Sequence, residues 1–217
     1  VLYRIGIKFR YAYLVSLIFS VERVIMGNEW EFPIIRATQV IPDFMIGYRK
    51  KRPNLGGIGV THFFLDDFRF DSIWKDPMVS MEHIKTPIVL SPDFSLYRDW
   101  PLALQIWNTY RNRWCGAFWQ SRGLIVIPTI SWSGPDSYDF CFDGIQPGGV
   151  VAISMLGVSG SAENYIFMAG FLEMKRKIKP SQILCYGNAP EGLADQLISY
   201  PTFWQKKRGH HGRTRRI

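Results

Sequence analysis

Cysteine is scarce in this chain: three residues in 217, Cys115, Cys141 and Cys185, none in a CxxC or Cys/His spacing. That pattern excludes a disulfide framework and a zinc cluster, and it suits small buried thiols in a reducing, cytoplasmic setting. No GxSxG elbow marks a nucleophile. No GxGxxG occurs, and Gly144–Gly149 lacks the Lys-Ser/Thr that holds a phosphate and its metal, so no nucleotide-cofactor motif is present and triphosphate hydrolysis of the usual kinds is set aside. The apolar run Tyr11–Phe19 is far below the roughly 20 residues a membrane span needs, and no small-residue cleavage site follows before Glu22 and Arg23. No stable membrane association is therefore expected.

What the chain has is a core and an uneven charge. Apolar residues make up 47% and aromatics 15%, which sets disorder aside and supplies the large rings that dominate core energetics. The net charge of +8 sits at the ends: residues 1–25 carry +3 and residues 205–217 carry +6 with no acid, leaving −1 for residues 26–204. The expected organisation is one α/β domain over 26–204, a basic tail over 205–217, and an N-terminal over-extension over 1–25, because MGNEWEF at Met26 reads as a natural start.

Along the body, apolar β-rich runs end in polar residues and give way to helical stretches. The runs are Ile58–Leu65, Pro87–Leu90, Leu124–Ile130, Val150–Ile153 and Ile183–Cys185, with a last short strand near Ile198–Phe203. Helical candidates lie near Phe70–Trp74 with Ser80–Ile84, Pro101–Arg122, Asp136–Phe142, Ala162–Ile178 and Glu191–Gln196. Strands apolar on both faces that alternate with helices predict a mostly parallel sheet of five or six strands, either a Rossmann-like open sheet or a partial β/α barrel. In the long central helix, Ala103, Ile106, Trp107, Tyr110, Trp114, Ala117 and Phe118 share a stripe that predicts the core face, with Asp99 as N-cap. Arg49-Lys50-Lys51-Arg52-Pro53 predicts an exposed loop.

The segments HFFLDDFRFDSIW, SPDFSLYRDWPLALQIWNTYRNR, IPTISWS and DFCFDGI, in this order and spacing, resemble the domain-of-unknown-function family 4417 of bacteria, phages and mobile elements. The resemblance spans Phe32 to Gly187. It implies a mobile-element setting and brings no established activity or catalytic residues.

In parallel α/β folds, ligands bind beyond the carboxyl ends of the strands. Asp66, Asp67 and Asp93 fall there and would repel one another unless a cation intervened, so Mg²⁺ or Mn²⁺ is the expected cofactor and these three its ligands. Arg111, Arg113 and Asn108, on the helix that follows, are the candidates for catalytic contact with a phosphoryl group. Trp132, Ser131, Ser154, Asp139 and Asp143 are the candidate binding residues, and His62, inside a strand run, reads as a core histidine. The expected chemistry is metal-assisted phosphodiester or nucleotide chemistry. Two other readings stand beside it: a non-enzymatic module for a small ligand or a host protein, and a nucleic-acid binder working through the basic loop and tail.

Overall fold

The computed structural model describes residues 26–212 apart from Asn28, Arg52 and Leu55, so the expected over-extension and the last five residues lie outside the described residues. A short antiparallel pair, β1 (Met26–Gly27) and β2 (Phe32–Pro33), precedes the main sheet. Four parallel strands then pair in chain order: β3 (Phe44–Gly47), β4 (Gly59–His62), β5 (Ile88–Leu90) and β6 (Ile125–Ile127). Three more follow in the same way, β7 (Val150–Ser154), β8 (Gln182–Tyr186) and β9 (Leu197–Tyr200). A parallel bridge between Thr129 and Ala152, with Ile130 N–H donating to the Ala152 carbonyl at 2.8 Å, joins the two sets.

The crossovers carry α1 (Ser72–Lys75) and α2 (Pro77–Met81) after β4, α3 (Leu102–Ser121) after β5 and α4 (Ser161–Ile178) after β7. A last helix, α5 (Phe203–Gly212), follows β9. Asp76 caps α2 by accepting the Val79 N–H at 3.0 Å, with proline in its first turn. The fold is thus parallel α/β with alternating helices. It holds seven parallel strands where the sequence predicts five or six; the addition is Phe44–Gly47, too short beside its run of cations to register as a strand.

The strand order never reverses, and the sheet is curled. His62 at the end of β4 and Tyr186 at the end of β8 are four strand positions apart, roughly 19 Å in a flat sheet. Their ring centroids lie 4.5 Å apart. Of the two architectures expected, this is the barrel-type winding. Alternate residues of all seven strands fill the interior, among them Met45, Val60, Ile88, Ile127, Ala152, Leu184 and Tyr200. Residues one step along face outward, where Phe63, Val89, Val126, Val151 and Ile183 pack in one core with Trp114, Phe118 and Trp119 of α3 and Phe171, Met174 and Ile178 of α4. Among the described residues no ladder joins β3 to β9; side chains span that seam, Tyr200 Oη donating to the Pro42 carbonyl and Lys206 Nζ to that of Met45.

Two details differ from the sequence expectation for α3. Pro101 occupies the N-cap position, with no side-chain cap, and Asp99 lies exposed before it. The first turns bury Gln105, Asn108, Thr109 and Asn112, while Ala103 and Trp107 of the expected stripe are exposed, Trp107 by 43%. Ile106 and Tyr110 of the stripe pack partly buried against the core, and from Trp114 onward the stripe is fully buried. The expected helices over Asp136–Phe142 and Glu191–Gln196 shrink to single 3₁₀ turns, Pro135–Ser137 and Ala194–Gln196.

Candidate functional site

A cavity of about 1060 Å³ opens at the carboxyl ends of the strands. Its floor carries His62, Phe64, Ile153 and Tyr186 from the strands and their extensions; Asp93, Ser131 and Trp132 come from the segments after β5 and β6. Asp66, Arg69, Arg98, Lys50, Phe203 and Trp204 also line it.

Asp93 is held there by its neighbours. The Ser91 Oγ donates to Asn112 Oδ1 at 2.9 Å and accepts the Thr129 N–H at 2.8 Å; Asn112 Nδ2 donates to the Pro92 carbonyl at 2.6 Å. Phe94 lies 3.9 Å beneath the Arg111 guanidinium. The Ser95 carbonyl accepts from Asn108 Nδ2 at 2.7 Å, and its N–H and hydroxyl both donate to the Asp67 carboxylate, at 3.1 and 2.8 Å. With Ser91 to Ser95 pinned on either side, the Asp93 side chain is directed into the cavity, where Ser131 bonds to it. Enclosure by protein pushes its pKa up to about 7, the nearby Asp67 carboxylate adds to the rise, and Ser131 opposes it. Near neutral pH Asp93 is therefore a proton-exchanging group.

His62 differs. Its Nδ1 accepts the Phe64 N–H at 3.2 Å, which assigns the proton to Nε2. The ring packs against both Phe64 and Tyr186, with centroids at 5.5 and 4.5 Å, and those two rings stack on each other at 5.0 Å. Burial, with the positive charge of Lys206 second, lowers its pKa to about 3. It is a neutral imidazole with one N–H to offer.

The structure brings together Asp66, Asp93, Ser131, Trp132 and Ser154 as cavity lining, with Asp67 against Asp93 and Ser95. Asp66 pairs with Arg69 at 3.1 Å, and Ser154 Oγ accepts the Leu156 N–H at 3.1 Å. Among the described residues no group of three or more His, Cys, Asp or Glu side chains is arranged to hold a metal ion. Of the three expected metal ligands, Asp66 and Asp93 line the cavity, and Asp67 has its carboxylate oxygens turned to Ser95.

The remaining expected residues lie outside this lining. Arg111 Nη1 pairs with Asp71 at 2.7 Å and its Nη2 donates to Asn108 Oδ1. Arg113, only 2% exposed, gives Nε to the Asp143 carbonyl at 2.8 Å, Nη2 to the Cys141 carbonyl, and Nη1 to Asn112 Oδ1 at 2.7 Å. Gly144, at φ +72°, passes so close to that side chain that a Cβ there would lie 3.0 Å from its Cγ and 2.8 Å from the Pro33 carbonyl oxygen. Asp143 and Asp139 meet their neighbours through backbone carbonyls, Asp139 accepting the Trp30 indole N–H at 3.0 Å. Burial raises the Asp143 pKa.

Lys50, His62, Arg98, Tyr186, Phe203 and Trp204 belong to the cavity without having been singled out as site residues. A signal existed for the supporting row: Gln105, Asn108 and Asn112 recur at i, i+3 and i+7, the spacing of one helix face, in amides where apolar residues are usually sought.

The chain is 39% identical to the "Gene 1 protein" of Mycobacterium phage L5 over 190 residues, covering 84% of this chain and 83% of the relative. It is 40% identical to the "Gene 1 protein" of Mycobacterium phage D29 over 196 residues, covering 84% and 70%. No solved structure matches it. No helix among the described residues is long and apolar enough to cross a membrane. With a family model matching residues 24–204, most of its length, the chain belongs to the family described as a domain of unknown function, DUF4417.

Proposed function

We propose that this protein binds a nucleotide or a phosphodiester in the cavity and carries out hydrolysis or transfer at the phosphorus, with Asp93 as the proton-handling group. The observation that supports the reading is the pinned Asp93 carboxyl beside Asp67, directed into a cavity at the strand ends. In hydrolysis, the attacking water gives its proton to the Asp93 carboxylate as the new P–O bond forms. The bond to the leaving oxygen breaks, and Asp93 returns the proton to that oxygen. Were Mg²⁺ or Mn²⁺ to bind, Asp66 and Asp67 would be the residues to hold it, and it would supply neutralisation of charge on the phosphoryl oxygens. Asn108, Arg111 and Arg113 act through the segments they hold, as positioning residues.

Thermal unfolding with a panel of nucleotides and short oligonucleotides, with and without Mg²⁺, tests the reading. A ligand at one hundred times its Kd adds about 2.7 kcal/mol to stability, a readily visible shift. Turnover of the stabilising ligand that disappears in Asp93→Asn is the expected result; no shift with any phosphate-bearing compound overturns it.

The aromatic lining at Phe64, Trp132 and Tyr186 favours a second reading, a module that holds its ligand unchanged. It predicts the same thermal shift, no product by chromatography, and no dependence on Asp93 beyond affinity.

A further inference from the structure

We infer that the ligand of this cavity is the end of a single-stranded nucleic acid, carried over a rim of paired aromatic and cationic side chains on opposite sides of the mouth. The inference rests on the proposed function and names its substrate class. On one side Tyr97 and Arg98 follow β5; on the other Phe203 and Trp204 open α5 after β9, and all four line the cavity. The rings are out in solvent, Tyr97 exposed by 53%, Phe203 by 58% and Trp204 by 62%.

Nothing in the core requires them there. Phe203 and Trp204 contact one another edge to face at 5.4 Å, with Lys207 Nζ 5.8 Å from the Trp204 ring. Among the described residues Arg98, Lys50 and Lys207 form no ion pair with a carboxylate, so their charges are available to a polyanion.

Exposed ring faces beside unpaired cations match the two needs of a single strand, stacking for bases and charge for phosphates, and they suit any base sequence. A duplex keeps its base faces covered and gains little from the rings. The cavity, at about 1060 Å³, lies just above the range for small-molecule sites, roughly 300–1,000 Å³, so it has room beyond one nucleotide. A terminal base fits the aromatic interior at Phe64, Trp132 and Tyr186 while the following phosphates meet the rim.

The test is fluorescence anisotropy of the full chain with a labelled oligothymidylate, the same strand in duplex, and thymidine monophosphate as competitor. Trp204→Ala and Arg98→Ala are compared with wild type, and circular dichroism checks their folding. The expected result is single-strand binding at least about tenfold tighter than either duplex or mononucleotide, with a loss of about tenfold in Trp204→Ala. Arg98→Ala should lower the slope of log affinity against log salt by about 0.7, the value of one phosphate contact on a single strand.

Single-strand binding no tighter than the mononucleotide overturns the inference and leaves the proposed function standing if the mononucleotide raises the melting temperature. Binding that is unchanged in both variants and lost on deleting residues 213–217 overturns it in favour of unspecific attraction to the tail. No binding of either ligand, with no thermal shift, removes both readings.

Discussion

The first four strands of the curled sheet and the last three are built on different rules. Among the described residues, and tyrosines apart, all the buried polar side chains except Thr202 fall between Thr61 and Ser137. Helix α3, behind the first set, buries Gln105, Asn108, Thr109, Asn112 and Arg113; helix α4, behind the second, buries Phe167, Gly170, Phe171, Met174 and Ile178. Gly170 shows how the buried face of α4 works: a Cβ there would lie 2.2 Å from the Trp132 indole nitrogen, so the helix approaches there by shape. A helix that only closes a core needs volume. One that fixes the course of irregular segments, as α3 does for Ser91–Ser95 and Cys141–Asp143, needs directional donors, because buried carbonyls left without partners cost about 1–3 kcal/mol each.

The largest expected effect comes from breaking that difference outright. Arg113→Met keeps the length of the side chain and strips the Asp143 and Cys141 carbonyls of their donor, and should cost about 3–5 kcal/mol in urea unfolding. Met174→Leu on α4, a volume-conserving swap, should cost less than about 1.5 kcal/mol. Equal losses would mean the two helices hold their strands by the same means.

A smaller effect sharpens the comparison through pH. Folded Asp93 keeps its proton up to about 7, where the unfolded carboxyl releases it near 3.8, so stability falls as pH rises through that window. Asp93→Asn removes the slope. It should be about 2 kcal/mol more stable than wild type at pH 8, after allowance for solvent screening at the cavity, and should show no gain at pH 4. A wild-type advantage at pH 8 would instead mean that the ionised carboxylate has a stabilising partner.

The smallest is opposite in sign. Unfolded His62 binds a proton near 6.5 and folded His62 only near 3, so acid favours the unfolded chain and stability falls as pH drops through this range. His62→Phe should flatten the stability profile between pH 7 and pH 5 by about 1–2 kcal/mol, whatever its effect on the baseline. An unchanged slope would place the acid sensitivity elsewhere.

The same division explains what could be read from the sequence. The runs at Ile58–Leu65, Val150–Ile153 and Ile183–Cys185 announce buried parallel strands because both their faces are apolar, and Ala162–Ile178 announces α4 almost to the residue. Hydrophobic periodicity fails on the first turns of α3 because their inner face is amide, matched to carbonyls whose positions only the fold supplies. Asp93 and Ser131 stand out because they follow strands. Asp139 and Asp143 suggest carboxylate chemistry; their backbone oxygens accept from the Trp30 indole and the Arg113 guanidinium. Trp204 escapes notice because it begins a stretch that reads as a basic tail and folds as α5 against the mouth.

The seam between β3 and β9 bears on what a strand from another chain would meet there. A parallel sheet that stops short of a full ring has two bare edges, each a template for a strand from another chain. Here the two edges face one another, with Tyr200 and Lys206 occupying the Pro42 and Met45 carbonyls that an incoming strand would seek. Through Lys206 the last helix covers one of those acceptors, so a strand seeking that edge would first have to displace it.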